Sequence, residues 1–312
     1  MSRESLDIRE PSVSLRVLRS VVRKLPRGRS WAIRKLLPLV APLGPVRGEF
    51  HRARLSFRTD FSQAIAKTLF FYGYYEQNVT SVLLRMLNSG QSVIDVGAHL
   101  GYWTMHMASA VGERGRVISF EPNPRMYGEL AVNVAMNGFN NVHTVCAAAA
   151  EQSGHRAFYS RSMERSVVGS LVAHDEATGG TTFDVKTVSI DAYCDEQRLD
   201  KIDILKMDIE GGELMAIPGM SAGIAAGRYC RVLLELHPKQ LAANESSAME
   251  LLDVFRRAGY RCFRIENFRP GFLGRYSLRF ADQLLIPDDG HDWTEAWPHY
   301  LLLAPGIPVP SR

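Results

Sequence analysis

At 312 residues, 46% apolar and 22% charged, the chain can bury a full core and lacks the composition of a disordered protein. Its net charge of +4 is a sum of opposites: residues 1–58 hold 14 Lys/Arg against 4 Asp/Glu, and the rest holds 23 against 29. A basic arm on a mildly acidic body argues against a nucleic-acid binder, and no stretch nears the roughly 18 apolar residues of a spanning helix.

The arm comes first in the chain. In SVSLRVLRSVVRKLP (residues 12–26), Leu15, Leu18, Val22 and Leu25 recur at helical spacing with Arg16, Arg19, Arg23 and Lys24 between them. Trp31, Ile33, Leu36 and Leu37 follow among Arg34 and Lys35. Residues 12–43 therefore suit packing on the body, packing on a twin subunit in a homodimer, or peripheral contact with an anionic membrane. The longest apolar run, residues 36–43, is broken by Pro38 and Pro42. Charges continue where a secretory leader would be apolar. Cys146, Cys194, Cys230 and Cys262 form no C-x-x-C pair and suit a reducing compartment. A cytoplasmic protein, at most peripheral at the inner membrane surface, is expected. The nine histidines make no H-x-x-x-H or H-E-x-x-H pattern, so no metal site is expected, with a divalent ion held by Asp208 and Glu210 as the alternative.

From residue 59 apolar β-branched runs alternate with helical patterns, which predicts an α/β domain over 59–312 with a mostly parallel sheet. NVTSVLLRMLNSG is a helix closing at Gly90, QSVIDVGA a buried strand, YWTMHMASAVG a helix, and GRVISFEP a second strand. RMYGELAVNVAMNG is a helix stopping at Gly138, and NVHTVCAAAA a third strand. RAFYS and FDVKTVSIDAY read as an inserted hairpin or edge strands. IDILKMDIEG and RVLLELHP are the fourth and fifth strands, SAMELLDVFRRAGY a helix running into RCFRI, and ADQLLIP a last strand.

The loop after the first strand narrows the chemistry. In VIDVGAHLGYWT (residues 93–104), Gly97 and Gly101 stand where open α/β sheets bind ligands, and small residues there let a ligand approach the backbone. The helix that follows offers free N–H groups. A dinucleotide site wants G-x-G-x-x-G; here the pattern is D-x-G-x-x-x-G, and Asp95 would repel a pyrophosphate but suit an ammonium or sulfonium. Glu121 ends the second strand 20 residues after Gly101, where an acidic residue accepts hydrogen bonds from a ribose diol. Taken singly, each carboxylate is equally a strand-end cap. Together they fit a nucleoside with a cationic amino-acid tail, S-adenosylmethionine.

With GYYEQ (73–77), FEPNP (120–124), NVAMNGFNNV (133–142), VSIDAY (188–193), ILKMDIEGGE (204–213) and LLELHP (233–238) added in this order, the chain resembles FkbM-type S-adenosylmethionine-dependent methyltransferases over about residues 59–290. The resemblance implies the class I methyltransferase fold: a Rossmann-like, seven-stranded, mostly parallel sheet with helices on both faces and an antiparallel last strand. The basic helical extension of residues 1–58 precedes it. It also implies roles. Asp95, Gly97 and Gly101 would hold the methionine end, with Ala98 beside them. His99, where the family usually has Asn, would hydrogen-bond to the cofactor. Glu121 would hold the ribose hydroxyls, Pro122 and Asn123 would lie near the adenine, Ala147 would border its ring, and Glu76 would close the pocket.

KMDIEGGE puts Lys206, Asp208 and Glu210 at alternate positions, hence on one face while the strand lasts. Methyl transfer to a hydroxyl needs alignment and a base, for which Asp208, Glu210 and His237 are candidates. Lys206 reads as an ion-pair partner of the neighbouring carboxylates, Asp208 also as a cofactor contact, and Glu213 as a first-turn carboxylate. The acceptor expected from the resemblance is a hydroxyl on a small metabolite, a polyketide, or a glycan- or lipid-linked sugar. A nicotinamide-dependent oxidoreductase and a non-catalytic cofactor-binding or membrane-associated scaffold are the alternatives.

Overall fold

The computed structural model describes residues 8–25, 28–42, 44–50, 55–160, 169–171, 181–266, 285–288 and 297–310. Residues 1–7, 26–27, 43 and 51–54 of the arm, and 281–284 of the expected last strand, lie outside the described residues.

The arm folds as two helices and a hairpin. Helix α1 (Val13–Lys24) starts at Ser12, whose hydroxyl accepts the Leu15 N–H, and α2 (Arg29–Val40) follows. Strands β1 (Val46–Glu49) and β2 (Ser56–Thr59) pair antiparallel. Leu15, Leu18 and Val22 are buried, as the helical spacing requires, and they join Phe57, Phe70, Leu83 and Met105 in one apolar cluster. The arm and the body therefore share a core, and β2 runs across the 58/59 boundary. A second row of the same helices stays in solvent: Val13, Val17, Val21, Trp31 and Leu39 are 45–78% exposed. No described helix is long and apolar enough to cross a membrane.

Helices α3 (Ala64–Tyr72) and α4 (Gln77–Met86) lead into β3 (Ser92–Val96), α5 (Tyr102–Val111), β4 (Arg116–Phe120), α6 (Pro124–Met136) and β5 (Val142–Val145). Four short strands follow: β6 (Ala148–Ala149), β7 (Gly154–Ser160), β8 (Gly169–Ser170) and β9 (Thr181–Val188). They make a separate small sheet in the order β6-β9-β7-β8. This is the expected inserted hairpin, enlarged because the third strand breaks after Val145 and its alanines pair with β9 instead. Then come α7 (Ile190–Glu196), β10 (Ile204–Met207), α8 (Glu213–Ala216), a 3₁₀ turn, α9 (Ser221–Ala225), β11 (Arg231–Glu235), α10 (Pro238–Ala242), α11 (Ala248–Arg257), β12 (Arg261–Ile265), β13 (Leu285–Pro287) and β14 (His299–Leu303).

The main sheet runs β13-β12-β14-β11-β10-β3-β4-β5. Strands β5, β4, β3, β10 and β11 are mutually parallel, and β14 inserts antiparallel between β11 and β12. Seven strands carry the expected arrangement, with β14 in the antiparallel place. ADQLLIP, taken from the sequence as the last strand, contributes β13, an eighth strand paired to the outer edge of β12. The replacement has a simple cause. HYLLL is buried at all five positions and shows neither alternation nor length, so periodicity does not mark it.

Two asparagines bind the arm to the body. Asn133 accepts the Arg58 N–H and donates to Leu100 O, both at 2.7 Å. Asn137 accepts the Ser56 N–H at 2.9 Å and donates to Ser56 O at 2.7 Å. Asn133 of α6 and Asn137 at its C-cap thus pair with β2 as a strand would, and Asn133 also holds the loop after β3.

Candidate active site

Strand alternation sets the polar face. Val93, Ile204, Leu233 and Leu301 enter the apolar cluster shared with the arm, whereas Ile94, Leu205, Leu234 and Leu302 enter the cluster on the opposite side. By the two-residue period Asp95, Lys206, Glu235 and His299 return to the first face. Register places Lys206 beside Asp95 and Glu235 beside His299. All four lie at the carboxyl edge of the parallel strands, where such sheets bind ligands.

A cleft opens at that edge. The loops after β3 and β4 line it with Gly97, Ala98, His99, Glu121, Pro122 and Asn123; Ala147, beyond β5, borders it on one side, and Lys206, Asp208 and Glu210, at the end of β10, on the other. Glu76, Asp95, Gly101 and His237, also expected at the site, do not line it. Asp95 lies beneath the floor, with no exposed surface. Thr104 donates to its Oδ2 at 2.6 Å, and Lys206 Nζ stands 3.9 Å from its Oδ1. Burial pushes the Asp95 pKa up, with Lys206 and Thr104 pulling the other way. Lys206 also reaches Asp208 Oδ2 at 3.3 Å and faces the Trp103 ring at 5.9 Å. Burial opposes the lysine's charge, but Asp208 and Asp95 hold its pKa above the ordinary value. The Asp208 carboxyl is lowered: burial works against its charge, and Lys206, His237 and His299 outweigh it.

The glycine requirement has a different cause from ligand approach. Gly97 has φ +80°, and a Cβ there would stand 2.0 Å from Asp208 O. The glycine thus admits the neighbouring strand's exit, which brings Asp208 to the cleft. His99 has φ 51°. His is among the non-glycine residues enriched in this left-handed conformation. Its N–H donates to Glu121 Oε2 at 2.7 Å, and the Asn123 N–H donates to Oε1 at 2.9 Å. Burial still pushes the Glu121 pKa up to about 7, against these two donors. The same burial drives His99 down to about 4, leaving a neutral ring.

Behind the cleft lies a second layer. His237 Nε2 is 3.2 Å from Glu210 Oε2, and its Nδ1 is 3.4 Å from Glu213 Oε1. Burial lowers the affinity of His237 for its proton, but Glu213, Asp208 and Glu210 raise its pKa to about 9. Glu213 is fully buried and accepts the Ile209 N–H at 3.2 Å, more than a first-turn helix carboxylate would do. Glu76, at the N-terminus of α4 with φ 40°, sends Oε2 to His299 Nε2 at 3.1 Å; Glu235 Oε2 approaches the same nitrogen at 3.2 Å. Burial opposes a charge on His299, yet Glu235 and Glu76 hold its pKa well above the usual value. His299 is invisible to sequence reasoning because its strand is, and Glu235, inside the expected fifth strand, has no partner there that the sequence could show.

The family model described as "Methyltransferase FkbM domain" matches residues 95–262. The chain is 26% identical to the hexuronic acid methyltransferase AglP of Haloferax volcanii, over 70% of this chain and 84% of that one. It is 25% identical to AMB antimetabolite synthetase AmbE of Pseudomonas aeruginosa, over 69% of this chain but only 12% of the relative's length. Among solved structures, methyltransferase FkbM from Methylobacillus flagellatus KT superposes with a TM-score of 0.41 at 15% identity, covering 69% of this chain and 43% of that one.

Proposed function

This chain belongs to the FkbM methyltransferase family, whose methyl donor is S-adenosylmethionine, and from that premise we propose that it methylates a sugar hydroxyl. One observation carries the reading: Asp208 and Glu210, after β10, line the same cleft as Glu121, after β4, with β3 between them. Glu121 suits the ribose diol of the donor, and its two backbone donors leave each oxygen a second lone pair. Lys206, itself paired with Asp95, holds Asp208 beside the methionine end. The acceptor hydroxyl then lies toward Glu210. Its oxygen attacks the methyl carbon in line, the carbon–sulfur bond breaks to give the thioether, and the hydroxyl proton passes to Glu210. His237 acts through Glu210 as a positioning residue. A hexuronic acid acceptor, the substrate in the name of AglP, supports a glycan or glycolipid over a polyketide.

The test is transfer of labelled methyl from S-adenosylmethionine to hexuronic-acid glycans. Glu210→Gln should lower turnover by about 10²–10⁴-fold while donor affinity stays within about twofold. Asp208→Asn should weaken both. Full turnover in Glu210→Gln would remove Glu210 as the base.

A second reading concerns the arm. We propose that α1 and α2 dock on an anionic lipid surface, because Val13, Val17, Val21, Trp31 and Leu39 are exposed on helices that carry Arg16, Arg19, Arg34 and Lys35. Vesicles with anionic lipid should sediment the protein, neutral vesicles should not, and Val17→Asp with Trp31→Glu should abolish the difference. Equal binding to both vesicle types would overturn the proposal.

A further inference from the structure

We infer that Glu76, Glu235 and His299 form a divalent-cation site at the carboxyl edge of the sheet. The three ligand atoms come from three distant places in the chain: the start of α4, the end of β11 and the start of β14. All lie within 4.8 Å of one another. Both carboxylate oxygens stand 3.1–3.2 Å from His299 Nε2. Around an ion with bonds of about 2.0–2.2 Å, neighbouring ligand atoms in tetrahedral or octahedral arrays lie roughly 3.0–3.5 Å apart. The two spacings to His299 fall in that range, and the third lies within 4.8 Å. One Nε2 proton, by contrast, can point squarely at only one of the two oxygens.

Charge and burial agree with the geometry. His299 is 3% exposed and Glu235 8%. Asp95 and Asp208 stand close by, so four carboxylates share this edge with Lys206. Crowding like charges in a buried site is costly unless cations offset them. A dication does so with both histidines neutral. Glu235 is also common to a second triad with Asp208 and His237, whose ligand atoms again lie within 4.8 Å of one another. Its Oε1 is the atom that faces His237, at 3.9 Å. Two carboxylates and one imidazole suit Mn²⁺ or Zn²⁺ better than Ca²⁺, which asks for about 6–8 oxygens. Three protein ligands leave positions for other oxygens, and Asp208 joins the site to the cleft wall. The ion would there take oxygens of the acceptor, a role that rests on the sugar-methylation reading; ion binding itself does not.

The full chain, stripped with EDTA, is titrated with Mn²⁺ by calorimetry and by electron paramagnetic resonance. One ion per chain is expected, with affinity lowered by roughly 10–100-fold or more in Glu76→Gln and His299→Gln. His155→Ala, which removes an exposed histidine, should bind as the parent does. Unfolding melts of the metal-free variants separate ligand loss from misfolding. If a variant does not fold, pulsed resonance on the parent still decides, because an imidazole ligand gives a nitrogen hyperfine coupling. No ion bound, no nitrogen coupling, or parent-like affinity in folded Glu76→Gln and His299→Gln would each overturn the site. S-adenosylmethionine binding, measured on the same stripped protein, reports separately on the methyltransferase site.

Discussion

Glu121 is a carboxyl held between burial, which favours its proton, and two backbone donors, which favour its charge. Its pKa of about 7 against an ordinary 4.5 fixes two signs. The protonated form is favoured by folding, so this group's contribution to stability is full below about pH 4.5 and is lost as pH rises to about 7. On the proposed reading, in which Glu121 holds the donor's ribose, donor binding runs the other way, because the carboxylate is the stronger acceptor for the hydroxyls. Affinity for S-adenosylmethionine should therefore weaken roughly tenfold between pH 8 and pH 6 in calorimetric titrations. Glu121→Gln should remove that dependence. A parent protein with flat affinity over this range would contradict the assignment. Backbone strain gathers at the same place. Glu76, His99 and Glu210 are three of the five described non-glycine residues with positive φ, and all three belong to the site or its second layer.

At the scale of elements, the motif NVAMNG works through structure. Asn133 has no exposed surface and joins α6 to β2 and to the loop that carries His99. Asn133→Ala leaves the Arg58 N–H and Leu100 O without these partners and should cost about 1–3 kcal/mol, read as a lower urea midpoint. The displaced loop should weaken donor binding as well. Unchanged stability would mean that Asn137 alone holds the hairpin. The polar row is a second effect at this scale. Asp95, Lys206, Glu235 and His299 share a face because parallel β3, β10 and β11 and antiparallel β14 keep register, so a residue inserted in any one strand would turn its member to the opposite side.

For the molecule as a whole, the arm is part of the core. Leu18 is 6% exposed and packs within the shared cluster, whereas Val17, one position away, is 56% exposed. Leu18→Ala should destabilise the protein by about 2–5 kcal/mol. Val17→Ala should change stability by no more than about 0.5 kcal/mol. Thermal melts of the two variants make the comparison, and equal shifts would mean that the helix does not pack on this face. Removing residues 1–58 would take away most of β2 and expose the cluster that α3 and α5 line, so point changes on the outer row are the sound way to probe lipid contact.

The sequence by itself determined the α/β class, the parallel strands β3, β4, β10 and β11 and the helices between them, because their apolar periods are strong and glycines or caps end them. It also determined the donor: a carboxylate and two glycines after one strand and a second carboxylate after the next differ in charge and spacing from a pyrophosphate site, and the nicotinamide reading falls with the family assignment. Tertiary structure alone decided that Asp95 lies under the cleft, that Gly97 is small to admit Asp208 O, and that His237 stands behind Glu210. It alone brought Glu76, Glu235 and His299 together from positions 76, 235 and 299. The physical reason is that short-range periods fix which face a residue takes. Which distant residues share that face depends on strand order and register, and β14, fully buried and only five residues long, leaves no periodic mark in the chain.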